Sequence, residues 1–212
     1  CGIAAGGLTK TNKIGFVAAN PFGLVNWTVN AYLLGARQVN PDATLHVVYT
    51  GAWNNPIKER AAAQALVEQG VDVIGQHVDT PTPQVVAQEN GIYGTGHHRD
   101  MSEFADKATQ CSSVWVWDRY LTPVVKSIIA GTWDPSTRPY GDFIAIKNGG
   151  TDIACCGDMV PADVVAKIQS ERQAIIDGKH VFTGPIRDQA GTIRVKAGET
   201  LDDGSLWGMD YL

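Results

Sequence analysis

The stretch Lys13-Ile14-Gly15-Phe16-Val17-Ala18-Ala19 runs directly into Asn20 and Phe22, and it predicts a buried β-strand that ends in amide and aromatic side chains. The same succession recurs further along the chain. The other predicted strands and the residues at their ends are Thr44–Thr50 with Trp53, Val71–Gly75 with Gln76, His77 and Asp79, Ile92–Thr95 with His97, His98 and Asp100, and Ser112–Trp115 with Trp117. Because the carboxyl ends of parallel strands share one edge of a sheet, we expect these side chains to converge on one ligand-binding crevice.

Helices are predicted between these strands. Apolar residues recur at helical spacing over residues 25–36, and Asn55-Pro56 can begin a second helix that Gly70 can end. A third helix is predicted over Pro83–Glu89. Strands that alternate with helices imply an α/β fold, with a parallel sheet and helices on both of its faces.

The second half of the chain is less regular. Thr122-Pro123 is typical of a helix start, and Ala162–Asp177 predicts a further helix. We expect strands over Phe143–Ile146 and Asp152–Cys155, and turns, short strands and a surface arm over Val181–Leu212.

Composition excludes some classes of partner. The 212 residues include 17 basic and 22 acidic side chains and no basic stripe, which argues against nucleic acid because phosphate binding needs clustered Lys and Arg. No apolar run approaches the roughly 20 residues of a membrane helix. The cysteines Cys1, Cys111, Cys155 and Cys156 do not form a disulfide framework, and we expect Cys155 and Cys156 to be buried thiols.

The chain carries little that indicates catalysis. It has neither a Gly-x-Ser-x-Gly elbow nor a P-loop, and Gly91–Gly96 lacks the glycine spacing of a dinucleotide site, so we expect no cofactor. His97, His98 and Asp100 suggest a metal, but adjacent histidines point in divergent directions, and we expect no metal site. Stacking faces and fixed hydrogen-bonding groups are what a binding protein needs.

Each candidate residue has an alternative structural role. Trp53 can stack on a planar ligand or pack on the next helix, and we expect one of Trp115 and Trp117 to be core while the other reaches the cleft. Asp79 and Asp100 can accept hydrogen bonds from a ligand or cap the segments that follow them.

Two interpretations also stay open for Gln76 and His77. Both stand at one strand end, where an amide and an imidazole can contact a ligand or satisfy the backbone of their own loop.

An ordered series of motifs resembles the basic membrane protein family of ABC-transporter substrate-binding proteins, some of which bind purine nucleosides or nucleobases. The resemblance is nearly free of gaps. It rests on Thr9–Gly15, Asn30–Pro41, Trp53 to Glu59, Gln76–Pro81, Asp100–Ser102, Gly131–Trp133, Gly184–Gln189 and Gly208–Asp210.

The resemblance implies a type I periplasmic-binding-protein fold whose first lobe is largely absent. Residues 1–12 would be a helix or linker remnant, 13–116 a Rossmann-like ligand-binding lobe, and 117–212 a segment that returns to the other lobe, followed by a C-terminal arm. It makes Cys1 a residue within a longer pattern rather than a lipidated terminus. It also implies a periplasmic or extracellular, membrane-associated location and an ABC permease as partner.

The resemblance further implies that Trp53 stacks on a purine. The family often has an aromatic and then a polar residue where His97 and His98 stand, and nucleoside binders can carry Lys where Trp115 stands. A flat nucleobase suits the added tryptophan.

The functional prediction is therefore a non-catalytic solute-binding protein for a purine nucleobase or nucleoside. Two alternatives stay open: a hydrolase or isomerase that acts on a nucleoside or sugar in the same crevice, and a self-associating module without ligand. Strands without partners would leave open edges, so we also expect a rearranged fold, a homodimer or a partner segment in place of the missing lobe.

Overall fold

The computed structural model describes residues 1–137 and 144–212, and within them the chain forms an α/β fold as predicted. The main sheet has the order β2-β1-β3-β4-β5-β6. Strands β1 to β5 are parallel and β6 runs antiparallel to β5. The strands are β1 Lys13–Ala18, β2 Thr44–Tyr49, β3 Val73–His77, β4 Tyr93–Gly96, β5 Thr109–Trp115 and β6 Thr151–Cys155, with β7 Ile186–Arg187 and β8 Ile193–Val195 in a separate ribbon.

Helices cover both faces of the sheet, and two apolar clusters form the core. The helices are α1 Gly2–Leu8, α2 Gly23–Arg37, α3 Pro56–Glu68, α4 Thr82–Glu89, α5 Trp117–Ile129, α6 Ala162–Ile176 and α7 Asp203–Trp207. Phe16 of β1 belongs to the cluster that includes α1, α2 and α6, whereas its neighbour Val17 belongs to the cluster that includes α3 and α4. The alternation of side chains along a strand thus distributes β1 between the two cores.

Helix α1 lies unusually close to α2. A Cβ atom at Gly2 would be 2.0 Å from the Tyr32 carbonyl oxygen, and one at Gly6 would be 2.3 Å from the Ala36 carbonyl oxygen. Two glycines one turn apart therefore allow the two backbones to touch.

Three expectations for the second half of the chain are wrong. Helix α5 begins at Trp117 rather than at Thr122-Pro123, and Pro123 lies inside it; Asp118 in the first turn favours this earlier start. Trp117 therefore belongs to a helix and not to the strand, so the alternation expected of Trp115 and Trp117 does not hold, and both side chains are exposed. Cys155 and Cys156 form a disulfide with each other instead of remaining thiols.

The strand expected at Phe143–Ile146 is absent from residues 144–146, the described part of that range. Phe143 lies outside the described residues, and a 3₁₀ turn begins at Ile146. Gly149, with φ 73°, ends this turn, and Asn148 donates to the Ala145 carbonyl, so the backbone bonds locally.

The segment after residue 116 contributes to the same sheet. Strand β6 pairs with β5, and α6 packs on α1. The tail packs on α2, where the Asn26 side chain donates to the Met209 carbonyl at 2.9 Å. The domain boundary at 116 itself stays a prediction. Among the described helices, none has the length and hydropathy of a transmembrane span.

Candidate ligand-binding cleft

A cavity of about 660 Å³ opens at the carboxyl edge of the sheet, beside the ends of β3, β4 and β5. The strand order reverses between β1 and β3, which is the switch point where open α/β sheets bind ligands. The described residues that line the cavity are Leu24, Trp27, Thr28, His77, His97, Trp115, Val116, Trp117, Tyr120, Ile144, Gly150, Thr151 and Trp207.

Six of the rings at this edge follow one another in a line, which we call the aromatic row: Phe22, Trp53, His77, His97, Trp115 and Trp117. Successive ring centroids along it are separated by 6.3, 5.8, 4.1, 5.2 and 5.4 Å. These separations lie within or near the 4.5–7 Å range of interacting aromatic pairs. The row unites residues from five separate strand ends, as the sequence predicts.

His77 and His97 form the polar centre of the row. They are 4% and 6% exposed, and their rings stack with an interplanar angle of 29°. The Nδ1 atom of His97 shares a hydrogen bond with Ser113 Oγ at 3.2 Å, whereas Nδ1 of His77 is buried without a partner among the described residues. Burial lowers the pKa of His77 and places that of His97 well below its usual value, so both rings are neutral at pH 7.

His98 connects its own loop to the Asp79 loop and to the end of β5 beside this pair. Its Nε2 donates to the Asp79 carbonyl at 3.0 Å, and its own carbonyl accepts from the Trp115 amide at 3.0 Å. Its φ of 57° lies in the left-handed region, which is uncommon for residues other than glycine. The His97 and His98 rings meet edge to face, with centroids 5.7 Å apart and an interplanar angle of 89°.

Trp53 and Asp79 lie at the rim of the cleft. The Asp79 amide donates to the Trp53 carbonyl at 2.8 Å, which holds the two loops together. Trp53 is 38% exposed and contacts His77, although it does not itself line the cavity. The Asp79 side chain is exposed, and helix α4 has no side-chain cap, so Asp79 does not cap it.

Gln76 bonds to the backbone of its own loop, which corrects its prediction as a ligand-binding residue. It is buried, its Nε2 donates to the carbonyls of Val78 and Thr80, and its Oε1 accepts from Gln84. The buried Glu59 carboxylate accepts from the Thr80 hydroxyl and braces the same loop. The amide of Gln76 therefore bonds to protein partners, and Gln76 is not among the residues that line the cavity.

Asp100 is the second predicted ligand-binding residue that has a structural role instead. Its carboxylate accepts from the Ser102 amide at 3.0 Å and caps the 3₁₀ turn that begins at Met101. Asn20 lies two residues beyond the end of β1 and does not line the cavity, and Phe22 is exposed at the outer end of the aromatic row.

The structure adds cleft residues that the sequence analysis missed. Leu24, Trp27 and Thr28 come from the first turns of α2, and their i, i+3, i+4 spacing just after β1 was the available signal. Trp207 packs edge-on against Trp27 with centroids 5.0 Å apart. No local pattern in the tail could have placed Trp207 there, because its position depends on the docking of the tail on α2.

The described residues contain no group of three or more His, Cys, Asp or Glu side chains arranged to hold a metal ion.

Comparison with known proteins decides the family. Residues 1–181 match the family model described as ABC transporter substrate-binding protein PnrA-like. The chain belongs to this family. Its members are non-catalytic solute-binding proteins that are typically extracytoplasmic.

Two relatives of this PnrA-like chain illustrate the similarity. It is 35% identical over 212 residues to a purine-binding protein of Brucella abortus (strain 2308). The aligned region covers 99% of this chain and 59% of the relative. It is 38% identical over 133 residues, 63% of this chain and 34% of the relative, to a putative ABC transporter glucose-binding protein of Haloferax volcanii. The chain thus spans little more than half the length of the Brucella relative.

Solved structures support the PnrA-like fold. A transcriptional activator of the comK gene from Bacillus halodurans superposes with a TM-score of 0.71 at 21% identity, over 84% of this chain and 60% of the other. A solute-binding protein of an ABC transporter system from Aeropyrum pernix K1 gives 0.68 at 17% identity, over 84% and 61%. At these identities the similarity concerns the fold alone.

Proposed function

We propose that this PnrA-like chain captures a purine nucleobase or nucleoside at the aromatic row and carries it to an ABC permease without altering it chemically. The observation that carries the proposal is the row itself, because four of its rings, those of His77, His97, Trp115 and Trp117, line one cavity and the Trp53 ring adjoins His77 at the rim. The name of the Brucella relative supports a purine ligand. An extracytoplasmic, membrane-associated site of action follows from the same family.

Trp53 is the proposed stacking platform. Its ring is partly exposed at the rim, where a base can cover the free face. The Asp79 carboxylate and the imidazoles of His97 and His98 would then contact the polar edge of the ligand. An exposed carboxylate can accept from an exocyclic amino group, and a neutral imidazole can both donate and accept.

Calorimetric titration with adenine, guanine, hypoxanthine and their nucleosides tests this proposal. Trp53→Ala should raise the dissociation constant about 5- to 150-fold, because stacking on one base contributes roughly 1–3 kcal/mol. Trp53→Phe should retain part of the affinity, and Ile57→Ala, an exposed residue outside the row, is the control.

Two outcomes would overturn the proposal. One is the absence of binding by any of these purines, and the other is an unchanged dissociation constant in Trp53→Ala. Mass spectrometry of the recovered ligand separates binding from turnover, since a hydrolase or isomerase would return a changed molecule.

A further inference from the structure

All four cysteines of the chain gather around one apolar core, although they are far apart in the sequence. Cys1 directly precedes helix α1, Cys111 belongs to β5, and Cys155 and Cys156 stand at the end of β6. Cys111 is part of the core cluster that includes α1, α2 and α6, and the other three cysteines pack against that cluster. We call these four residues the cysteine cluster.

Cys111 lies between a thiol and a disulfide. Its Sγ is 3.5 Å from the Sγ of Cys1, and both residues are free cysteines. On its other side Cys111 is paired with Cys155 in the antiparallel ladder of β5 and β6, and Cys155 is bonded to Cys156. Residues directly opposed in such a ladder project to the same face, with Cα atoms about 4.5–5.5 Å apart. This separation falls within the range of roughly 4.4–6.8 Å that is found for disulfide-bonded cysteines.

The cluster therefore holds both reactants of a thiol–disulfide exchange. In this reaction a thiolate attacks one sulfur of a disulfide and forms a mixed disulfide, which a second thiolate then resolves. Cys111 is buried, and burial raises the pKa of its thiol, so the reactive thiolate becomes more abundant as the pH rises. Cys1, Cys155 and Cys156 are half-buried, so protons released from the thiols can reach solvent.

We propose that the cysteine cluster is a thiol–disulfide exchange site, in which the disulfide moves from Cys155 and Cys156 to Cys1 and Cys111. The Cys111 thiolate attacks Cys155 Sγ, and the bond to Cys156 breaks; Cys156 leaves with the electron pair and takes up a proton. The Cys1 thiolate then attacks Cys111 Sγ, and Cys155 leaves with the second electron pair and takes up the second proton. One dithiol is oxidised by two electrons while the other is formed, so the exchange needs no external oxidant. It is independent of purine capture.

Peptide mapping tests the proposal. Trypsin places Cys1, Cys111 and the adjacent pair on three different peptides, residues 1–10, 108–119 and 148–167. The full chain, isolated with its disulfide between the adjacent cysteines, is incubated at about pH 8 without oxygen and with a metal chelator, and free thiols are blocked with N-ethylmaleimide before digestion. Peptides 1–10 and 108–119 should become joined in at least about a tenth of the chains, with two free thiols per chain throughout. The exchange should be about tenfold slower for each pH unit below 8, because the thiolate fraction decreases by that factor.

Two serine variants separate the two steps. Cys111→Ser removes the first attacking thiol and should abolish the exchange. Cys1→Ser removes only the second thiol and should stop the exchange at a link between Cys111 and Cys155, which the mapping detects as a new cross-linked peptide. Ser113→Ala, on the same strand, is the control and should exchange as the unaltered chain does, because it removes a hydroxyl that bonds to His97. Circular dichroism checks that each variant is folded.

Three results would contradict the proposal. The first is an intact disulfide between Cys155 and Cys156 after the incubation, with Cys1 and Cys111 both still free. The second is a Cys1–Cys111 link that joins different chains, which would appear as a covalent dimer and form faster at higher protein concentration. The third is a link from Cys1 to the adjacent pair in Cys111→Ser, since it would assign the first attack to Cys1. None of these results depends on a variant that fails to fold, because the first two are measured on the unaltered chain.

Discussion

His77 and His97 show how burial and stacking of one pair of side chains favour one protonation state. Their ring centroids are 4.1 Å apart and both are almost fully buried, so a charge on either would be poorly solvated and close to its neighbour. His98 also lowers both pKa values, while Asp79 partly offsets the effect on His77. Burial and mutual proximity therefore favour the neutral form of both rings.

We expect this pair to make folding stability depend on pH. The pKa of both histidines is lower in the folded state than the usual 6.5, so the unfolded chain binds more protons as the pH falls through that value. Stability should therefore be highest above pH 6.5 and decrease toward pH 5. Urea denaturation at several pH values measures this, and His97→Asn should flatten the dependence; an equally steep dependence in that variant would contradict the assignment.

The sequence predicted which strand ends meet, but not what every polar residue there does. Trp53, His97 and Trp115 reach the aromatic row because strand order alone places them at one edge. Gln76 and Asp100 stand at the same edge and yet bond to the backbone. Strand periodicity carries no information on hydrogen-bond partners, so these cases could not be separated from the sequence.

At the scale of elements, the contact of α1 with α2 depends on the absence of side chains. We expect Gly6→Ala to lower the free energy of unfolding by about 1–3 kcal/mol, because the added methyl group would collide with the Ala36 carbonyl. Gly204→Ala in helix α7 is the matched control, since its nearest atom would be 3.6 Å away. Helix propensity alone makes that control neutral or stabilising by up to about 1 kcal/mol. Equal destabilisation of both variants in urea titrations would refute the packing argument.

Element boundaries were predictable in the first half and less so in the second. Strand–helix alternation over 13–96 is regular because each strand and helix contributes to a closed two-sided core. Helix α5 has no buried residue, so no core contact fixed its pattern, and its proline misled the placement of its start.

At the scale of the whole molecule, α5 presents an apolar face outside the two cores. Leu121, Val125, Ile128 and Ile129 are exposed at i, i+4, i+7 and i+8 on this helix. A continuous exposed apolar face is unusual for a soluble protein and typically marks an interaction surface. Whether a homodimer or a partner segment covers it stays a prediction.

We expect the apolar face of α5 to bind a hydrophobic dye, because its exposed apolar side chains adjoin one another. Ile129 and Ile57 are exposed to nearly the same degree, 81% and 84%, but Ile57 lies on α3 and is not part of the α5 face. We therefore expect Ile129→Glu to lower anilinonaphthalene sulfonate fluorescence clearly, whereas Ile57→Glu should change it little, because a charge disrupts the site only where apolar neighbours form one. Neither change should alter the circular dichroism spectrum, since both side chains lie outside the cores. A similar decrease in both variants would mean that the dye responds to single exposed residues, and the α5 face would then have no distinct binding capacity.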